Sequence, residues 1–341
     1  MESRTDALVL KLNQIYAKVN SLSGEINGRP LADRLFEGEY YKHFPVCDED
    51  MPDFKEKFLR LTAGLDPDSV KTVVLMLKRL KLLKASGERT LPLFTREEAD
   101  EILRILEEFD NEMLRLSEGC FYCRGYMLPV PRFEASVFID RCGLGSIEHP
   151  ESFAHKDIID AGAFIGDSAL ILSELTDRSV HAFEPTKENY ANMLNTIELN
   201  GLAGVVPRRL ALGREKGQAE MTNAYVSSTN AYVENSTMPY TATETVDVVS
   251  LDEYVKENGL TVGLIKADVE GAEQELLLGA METIKAHKPT LLISIYHNAS
   301  DFYEIKPMLE GLDLGYRFKI RHPKIGTVMM ETMLIAEVMN G

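Results

Sequence analysis

The chain has 341 residues, 45% hydrophobic and 27% charged, with a formal net charge of −17. This is an ordinary globular composition, long enough for two domains. The acidic balance argues against a sequence-independent grip on nucleic acid, and no apolar run approaches the roughly 20 residues of a membrane span.

The N-terminus, MESRTDALVLKLNQIYAKVN, has no basic start followed by an apolar block, so no signal peptide is expected. The first ~125 residues read as mainly helical. TDALVLKLNQIYAKVNSL has apolar residues at helical spacing. DPDSVKTVVLMLKRLKLLKASG opens on an Asp-Pro start signal and stops at Gly87. Lys71, Lys78, Lys81 and Lys84 on it read as a solvated face. TREEADEILRILEEFDNEMLRLSEG opens with a capping box, Thr95 to Glu98, and is expected to end at Gly119. The cysteines are Cys47, Cys120, Cys123 and Cys142. Cys120 and Cys123 form a C-x-x-C, but no partner pair or thioredoxin-like context goes with it. They read as ordinary thiols of a reducing cytoplasm.

From about Ser136 short β-rich runs alternate with helical ones, from KDIIDA through SVHAFE and GLIKAD to PTLLISIYH. This alternation predicts a parallel sheet with crossover helices. The stretch 222–245, rich in Ser, Thr, Asn and Tyr, reads as a mobile loop or short hairpin. The tail, YRFKIRHPKIGTVMMETMLIAEV, predicts an antiparallel strand pair closing the sheet.

Three strand ends carry residues suited to chemistry. The first is DAGAFIGD, Asp160 to Asp167. Gly162 lets the backbone turn, and Gly166 lets a helix start close to the strand. A dinucleotide loop wants G-x-G-x-x-G, but Phe164 stands at the middle glycine's place. A pyrophosphate tolerates flanking carboxylates poorly, whereas a cofactor bearing an ammonium and a sulfonium suits them. That favours S-adenosylmethionine over NAD. The second end is VHAFEP, where Glu184 is placed to accept hydrogen bonds from ribose hydroxyls. The third is GLIKADVEGAEQ, with Asp268 at the strand end and Glu270 and Gly271 opening the next helix. The following strand ends in ISIYHN, which brings His297 and Asn298 near if the strands are neighbours.

Together DAGAFIGDSA (160–169), HAFEP (181–185), Asn200-Gly201, ALG (211–213), SLDEY (250–254), IKADVEGAE (265–273) and ISIYHN (293–298) resemble the FkbM-type methyltransferases. The resemblance covers about 136–338. It implies an α/β, Rossmann-like class I methyltransferase sheet, mostly parallel, with an antiparallel C-terminal pair. A helical region, 1–125, would precede the S-adenosylmethionine-binding domain, 126–341, and serve substrate recognition or partner binding. Asp160, Gly162 and Gly166 correspond to the loop holding the methionine end of the cofactor. Ala163, Phe164, Asp167 and Ser168 join them as cofactor-binding residues. Glu184 corresponds to the ribose acid, and Asp268 and Glu270 to the acids beside the transferring methyl. Phe164 departs from the family, which commonly has Asn there.

The family implies methylation of a hydroxyl on a sugar, a glycan or a related small molecule. Such a hydroxyl is barely acidic, so a base should take its proton: His297, or else Asp268 or Glu270. A second route is a divalent ion held by Asp268, Glu270 and His297 or Asn298. Arg317, Lys319 and Arg321, with His322 following, place charge on one strand face, to select an anionic acceptor or simply to solvate an edge. The competing readings are an NAD(P)-dependent oxidoreductase and a non-catalytic binding protein that keeps the cofactor fold.

Overall fold

The structure is a computed structural model and describes residues 44–86, 94–222, 243–323 and 325–338. The helix expected within the first 22 residues and most of the 222–245 loop lie outside the described residues.

Helices α1 (Phe54–Thr62) and α2 (Pro67–Ser86) come first. The Asp-Pro signal starts α2 as expected: Asp66 accepts the Ser69 N–H at 2.9 Å and the Ser69 hydroxyl at 2.6 Å. Helix α3 (Arg96–Asn111) opens with the capping box, in which Thr95 and Glu98 bond each other's backbone N–H.

The end of α3 differs from expectation. The helix stops at Asn111, and β1 (Leu114–Ser117), β2 (Cys120–Cys123) and β3 (Tyr126–Leu128) form a small antiparallel sheet. Gly119, read as a helix stop, is the left-handed turn residue of the β1–β2 hairpin, at φ +68°. Cross-strand pairing of Leu114 with Tyr122 overrides the helical spacing there.

A short helix α4 (Ala135–Phe138) leads into the main domain. Then follow β4 (Asp157–Ala161), α5 (Asp167–Leu172), β5 (Val180–Phe183), α6 (Lys187–Asn200) and β6 (Val205–Arg208). Strands β7 (Ala211–Gly213), β8 (Gly217–Thr222) and β9 (Thr243–Ser250) make a second small sheet. After them come α7 (Leu251–Asn258), β10 (Val262–Ala267), α8 (Glu273–Leu278), α9 (Met281–His287) and β11 (Thr290–Ser294). Helix α10 (Ala299–Glu310) and strands β12 (Tyr316–Arg321) and β13 (Met333–Val338) close the chain.

The main sheet has seven strands in the order β12-β13-β11-β10-β4-β5-β6. Strands β11, β10, β4, β5 and β6 run parallel, and β13 is antiparallel to both β11 and β12. The expected α/β architecture is therefore the one observed. Strands β4, β10 and β11 are buried along their whole length, because helices cover both faces. The chain winds outward from β4 through β5 and β6, then returns to the other side of β4 as β10. That reversal is the topological switch point where such sheets bind ligands.

The N-terminal helices do not form a core of their own. Leu61, Val73, Met76 and Leu80 are buried in one cluster with Ile265, Leu291 and Phe318 of the sheet. Each such side chain contributes about 1.5–3 kcal/mol by leaving water. Helix α2 also covers the edge of the sheet: the Ile320 N–H donates to Ser69 Oγ at 2.9 Å. Buried Lys306 of α10 donates to the carbonyls of Arg60 and Ala63 at the end of α1. The small β1–β3 sheet is tied on by Asn200, whose amide exchanges hydrogen bonds with the Met127 backbone. Packing thus continues across residue 125. Lys319 and Arg321 of the expected basic stripe are paired within the chain, with Glu148 and Glu337 and with Asp66.

Among the described residues no helix is long and apolar enough to cross a membrane.

Candidate active site

The glycine loop joins β4 to α5 across a very close backbone approach. Gly162 sits at φ +74°, and a Cβ there would lie 1.8 Å from the Asp268 carbonyl oxygen. The Gly162 and Ala163 N–H groups donate to the Phe183 carbonyl, and the Asp268 N–H donates to Ala161 O. So the ends of β4, β5 and β10 are laced together by main chain. Gly166, at φ +85°, packs under Met193 and starts α5.

Phe164 is also left-handed, at φ +49°. For a residue with a Cβ this costs roughly 1–2 kcal/mol. Asn tolerates the conformation more easily, which explains why Asn suits this position. The Phe164 ring lies beneath a guanidinium: Arg132 Cζ is 4.8 Å from its centroid.

Asp160 was expected at the methionine end of the cofactor. It is fully buried, its Oδ1 is 3.2 Å from Lys266 Nζ, and its Oδ2 accepts the Ser168 hydroxyl at 2.7 Å. Lys266 also donates to Gly162 O at 2.9 Å. Asp160 and Ser168 therefore brace the loop from beneath, with their charge balanced by Lys266. Asp167 is buried at the start of α5 and accepts the Ser168 N–H at 2.9 Å. Burial, reinforced by the nearby Glu134 carboxylate, pushes its pKa up to about 7.

Glu184 follows β5 and is buried as well. It accepts the Thr186 N–H at 2.9 Å and the Thr186 hydroxyl at 2.5 Å. Burial raises its pKa to about 7, although bonds from Thr186, Asn189 and the Phe164 N–H oppose the rise. The Phe164 N–H thereby links the glycine loop to this acid.

At the end of β10, Asp268 and Glu270 flank a histidine. His297 Nε2 is 3.5 Å from Asp268 Oδ1 and 3.4 Å from Glu270 Oε2. On its other side Nδ1 is 2.9 Å from Glu273 Oε1. Burial opposes a charge on the ring, but Glu273, Glu270 and Asp268 together raise its pKa well above the ordinary value. The three carboxylates favour the protonated ring, and that form weighs against the expected role of base, because an imidazolium has no lone pair to offer. Tyr296 adds a hydroxyl donor to Asp268 Oδ1, at 3.3 Å.

The divalent-ion set expected from the sequence is not the one assembled. Asn298 caps α10 instead, accepting the Asp301 N–H at 2.9 Å. The atoms within 4.8 Å of one another come from Asp268, Glu273 and His297, and they already serve one another as ion pairs.

Residues 160–318 match the model of the methyltransferase FkbM domain. Over this stretch the chain is similar to the FkbM methyltransferases. It is 27% identical to "Methyltransferase 1" of Beauveria bassiana (strain ARSEF 2860), over 58% of this chain and 84% of that protein. The FkbM methyltransferase of Methylobacillus flagellatus KT has the same fold, with a TM-score of 0.53 at 21% identity. That match covers 84% of this chain and 60% of the Methylobacillus chain.

The site contains residues that sequence reasoning passed over. Glu273, in the quoted EGAE, bonds the Val269 and Gly271 N–H groups and orients His297. An acid in a first helical turn had a simpler dipole reading. Glu331 lies at φ +66° on the way to β13. Its own burial, then Asp268, Glu134 and Glu270, raise its pKa well above the usual range. It lies in the tail that was read only as a strand pair. Arg132 and Glu134 precede the matched residues and carried no motif.

Proposed function

We propose that this protein is an S-adenosylmethionine-dependent O-methyltransferase acting on a hydroxyl of a sugar, a glycan or a related small molecule. One observation carries the reading. Carboxylates stand at the start of α5 and after the neighbouring strands β5 and β10, around the switch point: Asp167, Glu184, Asp268 and Glu270. Such a site favours a cation and disfavours a pyrophosphate. That ranks an NAD(P)-dependent oxidoreductase second.

When bound, the cofactor supplies an electrophilic methyl on a sulfonium. Glu184 suits the ribose hydroxyls, and Gly162 and Ala163 give the methionine end a close backbone wall. Asp268 or Glu270 takes the acceptor's proton, while His297 stays protonated and fixes both carboxylates. Alignment and exclusion of water supply the rest. The chain's net charge of −17 favours a small-molecule or glycan acceptor over nucleic acid. The four free cysteines suit a reducing cytoplasm.

Calorimetry with S-adenosylmethionine and NADH tests the cofactor. Tight NADH binding without S-adenosylmethionine binding would sink this reading. Formation of S-adenosylhomocysteine with candidate glycans then separates an enzyme from a binding protein that keeps the fold. Asp268→Asn is expected to slow turnover roughly 10²–10⁴-fold. Full activity in that variant would remove Asp268 as the base.

A further inference from the structure

The carboxylates that suit a sulfonium and an ammonium raise a difficulty. The methionine end of the proposed cofactor also bears a carboxylate, which Glu134, Asp268 and Glu270 would repel, as would Asp167 once ionised. A cation must face it.

Two covered cations at the site are engaged. Lys266 donates to Gly162 O and Ser168 Oγ and is ion-paired with Asp160. His297 is enclosed by Asp268, Glu270 and Glu273. Arg132 differs. Its side chain is only 18% exposed, and among the described residues its one ion contact is a loose one, Nε to Glu134 Oε1 at 3.5 Å. Among the described residues its guanidinium makes no hydrogen bond, although it carries five N–H donors. Other covered guanidiniums of this chain are better supplied: Arg208 donates to Tyr254 and Pro207 O, and Arg321 to Asp66 and Ser69. Arg132 also lies over Phe164, its Cζ 4.8 Å from the ring centroid. Phe164 belongs to the glycine loop itself.

We infer that Arg132 binds the carboxylate of the cofactor's methionine end, exchanging its loose contact with Glu134 for a two-pronged one. The inference rests on the cofactor reading above. A planar fork matches a carboxylate bidentately, and the Phe164 ring sets the plane of that fork. Phe164 thereby gains a reason to occupy a left-handed position where Asn fits more easily. It is the platform for Arg132.

The test is calorimetry on the full chain with two probes, S-adenosylmethionine and decarboxylated S-adenosylmethionine. The second keeps the sulfonium and an ammonium but lacks the carboxylate. Wild type is expected to prefer the first by about ten- to a hundredfold. Arg132→Gln should abolish that preference, chiefly by weakening the first compound. Arg132→Lys should restore part of it. The preference is a ratio within one variant, so partial unfolding lowers the stoichiometry and leaves the ratio intact. A wild-type preference retained in Arg132→Gln overturns the assignment while leaving the cofactor reading standing. Wild type that binds neither compound overturns the cofactor reading itself. An acidic acceptor is the other source of a carboxylate. A raised KM for acidic but not neutral acceptors in Arg132→Gln, with the cofactor preference intact, would give Arg132 to the acceptor and overturn the proposal.

Discussion

Glu273 Oε1 lies 2.9 Å from His297 Nδ1, and both side chains are almost wholly buried. The same carboxylate accepts the Val269 N–H at 2.8 Å and the Gly271 N–H at 3.0 Å. One acid therefore holds the histidine and also the loop that carries Asp268 and Glu270. Glu270 needs that support, since it sits at φ +57°. Glu273→Ala leaves a buried imidazolium short of its nearest partner and frees two amides. The expected loss is about 3–5 kcal/mol in urea unfolding, with methyl transfer falling as the loop loosens. Glu273→Gln keeps an acceptor for the amides and should lose less. Equal stability of wild type and Glu273→Ala would show that the pair adds nothing.

Gly162 and Gly201 offer a matched comparison, because both are left-handed, at φ +74° and +64°. A Cβ on Gly162 meets Asp268 O at 1.8 Å, whereas a Cβ on Gly201 meets nothing within 4 Å. Gly201→Ala should cost only the backbone term, about 1–2 kcal/mol. Gly162→Ala adds overpacking of about 1–3 kcal/mol and must separate β4 from β10. It should also weaken cofactor binding. Similar melting temperatures for the two variants would argue against the close approach.

The parallel sheet was legible because short β-rich apolar runs alternate with helical ones, the pattern of strands joined by crossover helices. The switch point followed from those runs, and so did the acids at the strand ends. What those acids face was not legible. Lys266 stands in an apolar strand, and only the pairing of β10 with β4 reveals that it neutralises Asp160. His297 looked like a base because sequence does not show three carboxylates closing on one ring. Strand β1 was hidden by leucines that continue the helical spacing of α3, until the Gly119 turn is seen to fold them back. Arg132 lies outside every motif, and its place over Phe164 is purely tertiary.

The Lys266–Asp160 pair gives a second energetic test. Both side chains are nearly inaccessible, at 6% and 0%. Lys266→Met strands a buried carboxylate, and Asp160→Asn strands a buried ammonium. Each should cost about 3–5 kcal/mol. The double variant should lose less than the two together, with a coupling of about 1–3 kcal/mol in chemical denaturation. Strict additivity would mean that the two charges do not depend on each other.

The pH dependence of cofactor affinity has a definite sign. Burial holds the Glu184 and Asp167 carboxyls at about 7, well above the ordinary carboxylate range. A cationic ligand with ribose hydroxyls selects the ionised forms, so apparent affinity scales with the ionised fraction. From pH 8 to pH 6 that fraction falls about tenfold for each group. S-adenosylmethionine should therefore bind roughly tenfold weaker at pH 6 if one group matters, and up to about a hundredfold weaker if both do. Glu184→Gln should bind less tightly overall and retain only the step due to Asp167. Stability of the ligand-free protein runs the other way. A carboxyl raised on folding stabilises most below its unfolded value, near 4.3 for Glu184, and that stability is lost as pH climbs through about 7. Rising affinity with falling stability over one pH window separates titration at these acids from general unfolding. Affinity that improves toward pH 6 would contradict the assignment of both.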